Sequence, residues 1–192
     1  MEKRLIIIGI CLMGAGLSLK ANAQVISAHP YTAVGAYSVK HRDAFSFETN
    51  QAALAGVKQP SAGIFSERKF FLKELNSYAL ALVAPIPGGG VGISADYYGF
   101  SAYNEGRAGL AYGRGLGSKA SVGVQFSYCS RHAAGYKGLS AIGFGLSALL
   151  SITDKLTTGL RVENPVGGQF GGSPENKLPA VYSAGFGYEP SK

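Results

Sequence analysis

The segment from Lys119 to Arg131, KASVGVQFSYCSR, alternates between apolar side chains and small or polar ones. Alternation with a period of two is typical of a β-strand, because successive side chains point to opposite faces of a sheet. One face of this strand carries large apolar side chains, namely Val122, Val124, Phe126 and Tyr128. The other face carries only glycine, serine and glutamine. A transmembrane β-barrel strand has this pattern, with apolar side chains towards lipid and polar ones towards the lumen.

The same alternation recurs along the chain after Pro60. It predicts eight strands, at residues 61–70, 75–84, 90–99, 105–115, 119–131, 138–151, 155–163 and 180–189. Tight turns alternate with longer connections, as they do in outer-membrane barrels, where the tight turns are periplasmic. Residues 44–57 read as a short helical or irregular segment, and no window has the period of an amphipathic helix of normal length. The sequence therefore predicts an all-β fold, an antiparallel up-and-down transmembrane β-barrel with about eight strands.

Glycine is the most informative part of the composition. The chain has 28 glycines among 192 residues, no tryptophan and only 15% charged residues. Glycine is usually about 7% of a sequence, and here much of it lies within the predicted strands. Glycine on the inner face of a strand lets a sheet curve tightly, so this composition also favours a narrow barrel.

The amino terminus predicts secretion. A short basic start at Lys3 and Arg4 is followed by an apolar run and by the small-x-small pattern of Ala21-Asn22-Ala23. A cleaved signal peptide has this organisation, and the apolar run is shorter than the ~20 residues of a spanning helix. We expect residues 1–23 to be a signal peptide, 24–60 an N-terminal periplasmic or plug segment with a short helix, and 61–192 the barrel strands. The expected location is the cell outer membrane.

The sequence offers no pattern that would predict a cofactor, a metal site or an active site. The net charge of +7 is spread along the chain, without the basic run that a nucleic-acid partner would require. Cys129 is the only cysteine after the predicted signal, so no disulfide framework is expected. The three histidines lack ligand spacing. We therefore expect a protein that is not an enzyme, has no cofactor and does not bind nucleic acid.

Five polar residues on the predicted inner faces are candidate lumen-facing side chains: Asp96, Arg107, Gln125, Arg161 and Glu163. The four charged residues among them have opposite signs, so they could pair across the lumen and hold it shut. A role in contacting a substrate is the alternative interpretation. If the outer face meets lipid, Phe126→Arg should be far more costly than Gln125→Arg on the lumen face.

From Asp43 onward the chain resembles the long-chain-fatty-acid transporter superfamily of outer-membrane barrels. The resemblance rests on the segment DAFSFETNQAALA at 43–55, on LKELN at 72–76, on YGF at 98–100 with YNE at 103–105, and on Asn164-Pro165. Within that superfamily it is nearest to barrels associated with the type IX secretion apparatus of Bacteroidota. Gln51 stands where the family usually has proline.

The resemblance implies an outer-membrane barrel in contact with lipid, and it leaves two functions open. One is passage of small hydrophobic molecules, which would need an apolar pocket with a side opening. The other is a secretion-associated or structural barrel that binds protein partners, which would be plugged and would carry large outer loops.

The carboxyl-terminal end of the chain predicts an incomplete barrel. Family members are typically longer barrels, and outer-membrane barrels ordinarily finish on a strand with a terminal aromatic residue. This chain ends in Pro190-Ser191-Lys192 instead. We expect a truncated barrel that is not closed, unless the strands near 61–70 and 180–189 pair with each other.

Overall fold

The computed structural model describes residues 35–38, 41–172 and 177–189. The predicted signal peptide at 1–23 and the polar tail at 190–192 lie outside these residues. Within the described ranges, no helix is long and apolar enough to cross a membrane.

Eight strands form one antiparallel sheet in which every strand pairs with its neighbours in sequence. They are β1 (Ser61–Arg68), β2 (Asn76–Ile86), β3 (Gly89–Gly99), β4 (Tyr103–Leu116), β5 (Ala120–Ala133), β6 (Leu139–Ser151), β7 (Leu156–Glu163) and β8 (Val181–Tyr188). All eight predicted strands are confirmed, and their bounds agree within two residues. At the end of β1 the strand stops early because Phe70 and Phe71 take left-handed backbone conformations, with φ of 53° and 58°.

The sheet is not closed. β1 and β8 are its two edges, and within the described residues neither pairs with the other. The predicted all-β, antiparallel up-and-down arrangement of eight strands is therefore confirmed, and so is the expectation of an open sheet.

The two faces of the sheet differ as the alternation predicts. On β5, Phe126 and Tyr128 are 56% and 53% exposed, whereas Gln125 and Ser127, which alternate with them, are buried. The same alternation of burial runs along β2, β3 and β6. The outer face therefore carries the large apolar side chains, and the inner face carries the small and polar ones.

The inner face is covered by the N-terminal segment, defined here as residues 35–38 and 41–57. The segment contains a single turn of helix, α1 (Ser46–Thr49), and a 3₁₀ helix (Gln51–Gly56). Asn50 joins the two helices, and its side-chain oxygen accepts a hydrogen bond from the backbone N–H of Ala52 at 3.1 Å. The segment contacts both edges of the sheet, with Phe45 against Gly63 on β1 and Tyr37 against Gly187 on β8. The sheet therefore curves around it.

A row of three inner-face glycines forms the surface on which the 3₁₀ helix lies. Gly90, Gly113 and Gly123 are cross-strand partners on β3, β4 and β5. A methyl group at Gly113 would lie 2.6 Å from the backbone oxygen of Gln51, and methyl groups at the other two would meet backbone atoms of the same helix. Because backbone atoms cannot rotate away, only glycine lets the helix approach the sheet this closely.

We expect Gly113→Ala to destabilise the protein by about 1–3 kcal/mol, the usual range for inserting a methyl group into packed space. The matched control is Gly115→Ala, two residues along the same strand, where the nearest atom would be 3.9 Å from the added methyl. Neither glycine has a positive φ, so both positions tolerate alanine conformationally. Unfolding with guanidinium chloride in detergent measures the difference. Equal stability of the two variants would contradict the seating of the helix on this row.

Candidate functional site

The contact between the N-terminal segment and the inner face is the best-defined polar site in the described residues. Its centre is the pair Gln51 and Gln125, whose side chains are 0% and 2% exposed. The Gln51 Nε2 donates a hydrogen bond to the Gln125 Oε1 at 2.5 Å. The pair joins the 3₁₀ helix to β5, two elements that are 74 residues apart in sequence.

Backbone groups of the sheet and of the helix complete this attachment. The backbone N–H of Ala52 donates to the Ser147 Oγ at 3.0 Å. The Asn50 Nδ2 lies 3.3 Å from two backbone oxygens, those of Ala148 and Leu160, and donates to both. Because buried polar groups are costly unless paired, these bonds fix the register of the N-terminal segment on β5, β6 and β7.

Aromatic side chains of the N-terminal segment fill positions where the sheet has glycine. Phe47 is 1% exposed, and its ring packs on Gly92. Phe45 packs on Gly63 in the same way. The aromatic rings supply the volume that the inner face lacks, so the interior beside β1–β4 is packed with apolar side chains.

A cluster of charged side chains lies on the same inner face. The Arg107 Nη2 on β4 is 3.0 Å from the Glu163 Oε1 on β7, and the Arg161 Nη2 contacts the same oxygen. All three side chains are less than a quarter exposed. Two further acidic groups balance the arginines: Asp96 is the cross-strand partner of Arg107, and Glu48 of the N-terminal segment attracts Arg161.

The five candidate residues from the sequence all lie on the inner face. Arg107, Arg161 and Glu163 form the charged cluster, with Asp96 beside it, and Gln125 binds the N-terminal segment instead. Arg107 thus pairs with a carboxylate three strands away in the sheet, whereas Arg161 lies on β7, the same strand as Glu163. In the described part of the chain the Nε atoms of Arg107 and Arg161 are buried without a hydrogen-bond partner, so the cluster depends strongly on Glu163.

Sequence reasoning missed the partners of these residues in the N-terminal segment. Gln51 stands out in the sequence only because the superfamily that the chain resembles usually has proline there, although Gln51 supplies the central hydrogen bond. Asn50 was not singled out. Their polar character inside an alanine-rich segment was the only available signal, and it does not reveal which strand they meet.

A second ion pair lies nearer the long connections. The Arg131 Nε is 2.9 Å from the Glu105 Oε1, and the Tyr103 hydroxyl also donates to this carboxylate. The Arg131 guanidinium lies over the Phe170 ring at 5.1 Å from its centroid. Phe170 and Leu178, from the connection between β7 and β8, are buried against Ala141. This connection therefore covers part of the inner face beyond the N-terminal segment.

Arg42 joins two parts of the N-terminal segment to each other. Its Nε donates to the Ser38 backbone oxygen at 2.9 Å, and its Nη1 donates to the Ala53 backbone oxygen at 3.3 Å. Burial lowers the pKa of Arg42, and Glu189 at the end of β8 partly offsets this. The guanidinium stays charged and joins both ends of the segment.

The chain matches no protein-family model, no curated protein and no solved structure. Among the described residues, no group of three or more histidine, cysteine, aspartate or glutamate side chains is arranged to hold a metal ion. What the site can do chemically follows from its geometry: it joins the N-terminal segment and four strands by buried polar contacts.

We expect Glu163→Gln to destabilise the protein by about 3–5 kcal/mol, because it leaves two buried guanidinium groups without their carboxylate. The matched control is Glu67→Gln, which removes an exposed pair with Lys69 at 3.8 Å and should change stability by less than about 1 kcal/mol. Denaturant unfolding of both variants in detergent checks the difference. If Glu163→Gln is as mild as Glu67→Gln, the cluster does not stabilise the interior.

Proposed function

We propose that this chain is a non-catalytic outer-membrane β-barrel protein with a filled interior, which binds protein partners and does not pass solutes. The observation that carries the proposal is the contrast between the two faces of the sheet. The outer face exposes a continuous set of large apolar side chains on all eight strands: Ile64, Leu80, Leu82, Ile93, Leu110, Phe126, Ile142, Leu146, Leu150, Leu160 and Phe186. An exposed apolar surface of this extent marks an interaction with lipid or with protein.

Strand length supports a bilayer as the environment of the outer face. The five central strands, β2 to β6, have between 11 and 14 residues. A tilted transmembrane strand needs about 9–11 residues. The apolar side chains of β2 extend from Tyr78 to Ile86, which is about 26 Å along a strand at ~3.3 Å per residue.

Outward tyrosines add to this support. Tyr78, Tyr97, Tyr128 and Tyr182 are between 40% and 71% exposed, and all lie in the half of the sheet nearer the long connections. The rings of Tyr78 and Tyr97 are 6.4 Å apart. Tyrosine is enriched at the membrane–water interface, where its ring is buried and its hydroxyl stays hydrated.

The packed interior favours partner binding over the passage of small hydrophobic molecules. A transporter needs a pocket or channel, whereas here the N-terminal segment fills the inner face and is held by buried hydrogen bonds. The connection between β7 and β8 covers a further part. We therefore favour the secretion-associated or structural barrel among the two functions that the resemblance leaves open.

The open edges support a protein partner as well. Unpaired backbone groups in lipid cost several kcal/mol each, so β1 and β8 require hydrogen-bonding strands beside them in a membrane. We propose that a protein partner supplies these neighbouring strands. The edges would then be the place where the barrel joins its partner.

We expect the protein to fractionate with the outer membrane and, in mild detergent, to migrate as a complex larger than the detergent-bound monomer. Membrane fractionation followed by native gel electrophoresis tests both parts. A soluble periplasmic monomer recovered without detergent would refute the membrane location. A monomer in detergent would refute only the proposed binding of a protein partner and would leave the membrane location standing.

Phe126→Arg should destabilise the protein in lipid vesicles by about 2–4 kcal/mol near the bilayer midplane. In water the same change on an exposed residue would be nearly neutral. The control is Tyr136→Arg, in the connection between β5 and β6, where the side chain is 79% exposed. Denaturant unfolding from vesicles checks both, and equal stability would contradict lipid contact at Phe126.

Gln125→Arg cannot serve as the tolerant control that the sequence indicates. Gln125 is 2% exposed and is bonded to Gln51, so an arginine there would displace the N-terminal segment. The expectation that this lumen position tolerates arginine is therefore withdrawn, because the inner face is packed rather than open.

A further inference from the structure

The connection between β1 and β2 carries an exposed apolar tip. Phe70, Phe71 and Leu72 are 82%, 93% and 50% exposed, and a lysine flanks them on each side, at Lys69 and Lys73. Three consecutive apolar residues between two lysines are unusual in a loop that faces water only.

The backbone of this tip holds the two rings away from the sheet. Phe70 and Phe71 both have φ in the left-handed region, at 53° and 58°. Bulky residues without glycine's freedom rarely adopt this conformation, and it is found where the surroundings compensate for the strain. In the described part of the chain nothing covers either ring, so this unusual backbone conformation presents both rings outward.

The position of the tip relates it to the outer-face tyrosines. Arg68 and Asn76 form the last pair between β1 and β2, and the Tyr78 ring lies two residues below that pair on the outer face. The tip is therefore just beyond the row of Tyr78, Tyr97, Tyr128 and Tyr182. That is the level of the lipid headgroups if the outer face meets the bilayer.

We propose that the tip Phe70–Leu72 inserts into the interfacial region of the bilayer, with Lys69 and Lys73 at lipid phosphates. The proposal rests on the proposed function, because it requires the outer face to lie in a membrane. Lysine has a long apolar stem and a charged end. Its stem can therefore lie beside aromatic rings inserted in the membrane while its ammonium group reaches a lipid phosphate. A convex apolar tip suits a fluid phase, which adapts to its shape, whereas a folded partner would have to supply a matching pocket.

Tryptophan fluorescence can test the insertion directly, because the chain contains no tryptophan. Three single-tryptophan variants in vesicles that contain phosphatidylglycerol provide the comparison: Phe71→Trp at the tip, Phe126→Trp on the outer face, and Val166→Trp in the connection between β7 and β8. Val166 is 89% exposed and has no flanking lysine, so it reports on water.

We expect lipids brominated near the headgroup end of the acyl chain to quench Phe71→Trp at least twofold more than Val166→Trp. Acrylamide in the water should quench them in the reverse order. If Phe126→Trp is quenched by bromolipid while Phe71→Trp behaves like Val166→Trp, the insertion is wrong and the membrane location stands. If Phe126→Trp is quenched neither by this lipid nor by a lipid brominated near the bilayer midplane, the proposed function fails, whatever the tip does.

The lysines are tested by adding Lys69→Glu and Lys73→Glu to the Phe71→Trp variant. We expect bromolipid quenching at the tip to fall in phosphatidylglycerol vesicles, with quenching at Phe126→Trp unchanged by the same pair of substitutions. Unchanged quenching at the tip would overturn the role of the lysines at lipid phosphates.

Discussion

The close approach of the N-terminal segment to the glycines of the inner face is the contact on which the rest of the structure depends. Gly90, Gly113 and Gly123 let the 3₁₀ helix lie directly on β3, β4 and β5. Any side chain there would push the helix away and would remove the hydrogen bond between Gln51 and Gln125. Where the 3₁₀ helix lies, the inner face has glycine instead of side chains, and the sheet curves around the N-terminal segment that fills this space.

This arrangement determines what each face can do. Because the interior is filled by Phe45, Phe47 and Leu54, the large apolar side chains of the strands have no place inside and lie on the outer face. The charged side chains remain inside, where Glu163 joins two arginines from different strands. A protein with apolar side chains outside and charges inside is suited to an apolar environment, which is the physical basis of the proposed membrane location.

The filled interior and the open edges together favour a barrel that works with other proteins. Passage of a hydrophobic molecule would require displacing a segment held by buried bonds at Ala52 and Asn50. Among the described residues β1 and β8 each have a neighbouring strand on one side only, and a further strand could pair with the other side. The exposed tip between β1 and β2 lies at one of these edges and would orient the protein at the membrane surface.

The sequence by itself determined the eight strands, their order and the face to which each side chain points, because period-two alternation is a local property that needs no knowledge of contacts. It also placed Asp96, Arg107, Gln125, Arg161 and Glu163 on one face. Only the tertiary structure decided that Gln125 meets Gln51, because these residues are 74 positions apart in sequence. It also decided that Arg107 reaches Glu163, 56 positions away, and shares one carboxylate oxygen with Arg161. The sequence led us to expect a sheet that does not close, but the packed inner face came from the structure, because curvature and filling depend on how all the strands and the N-terminal segment pack together.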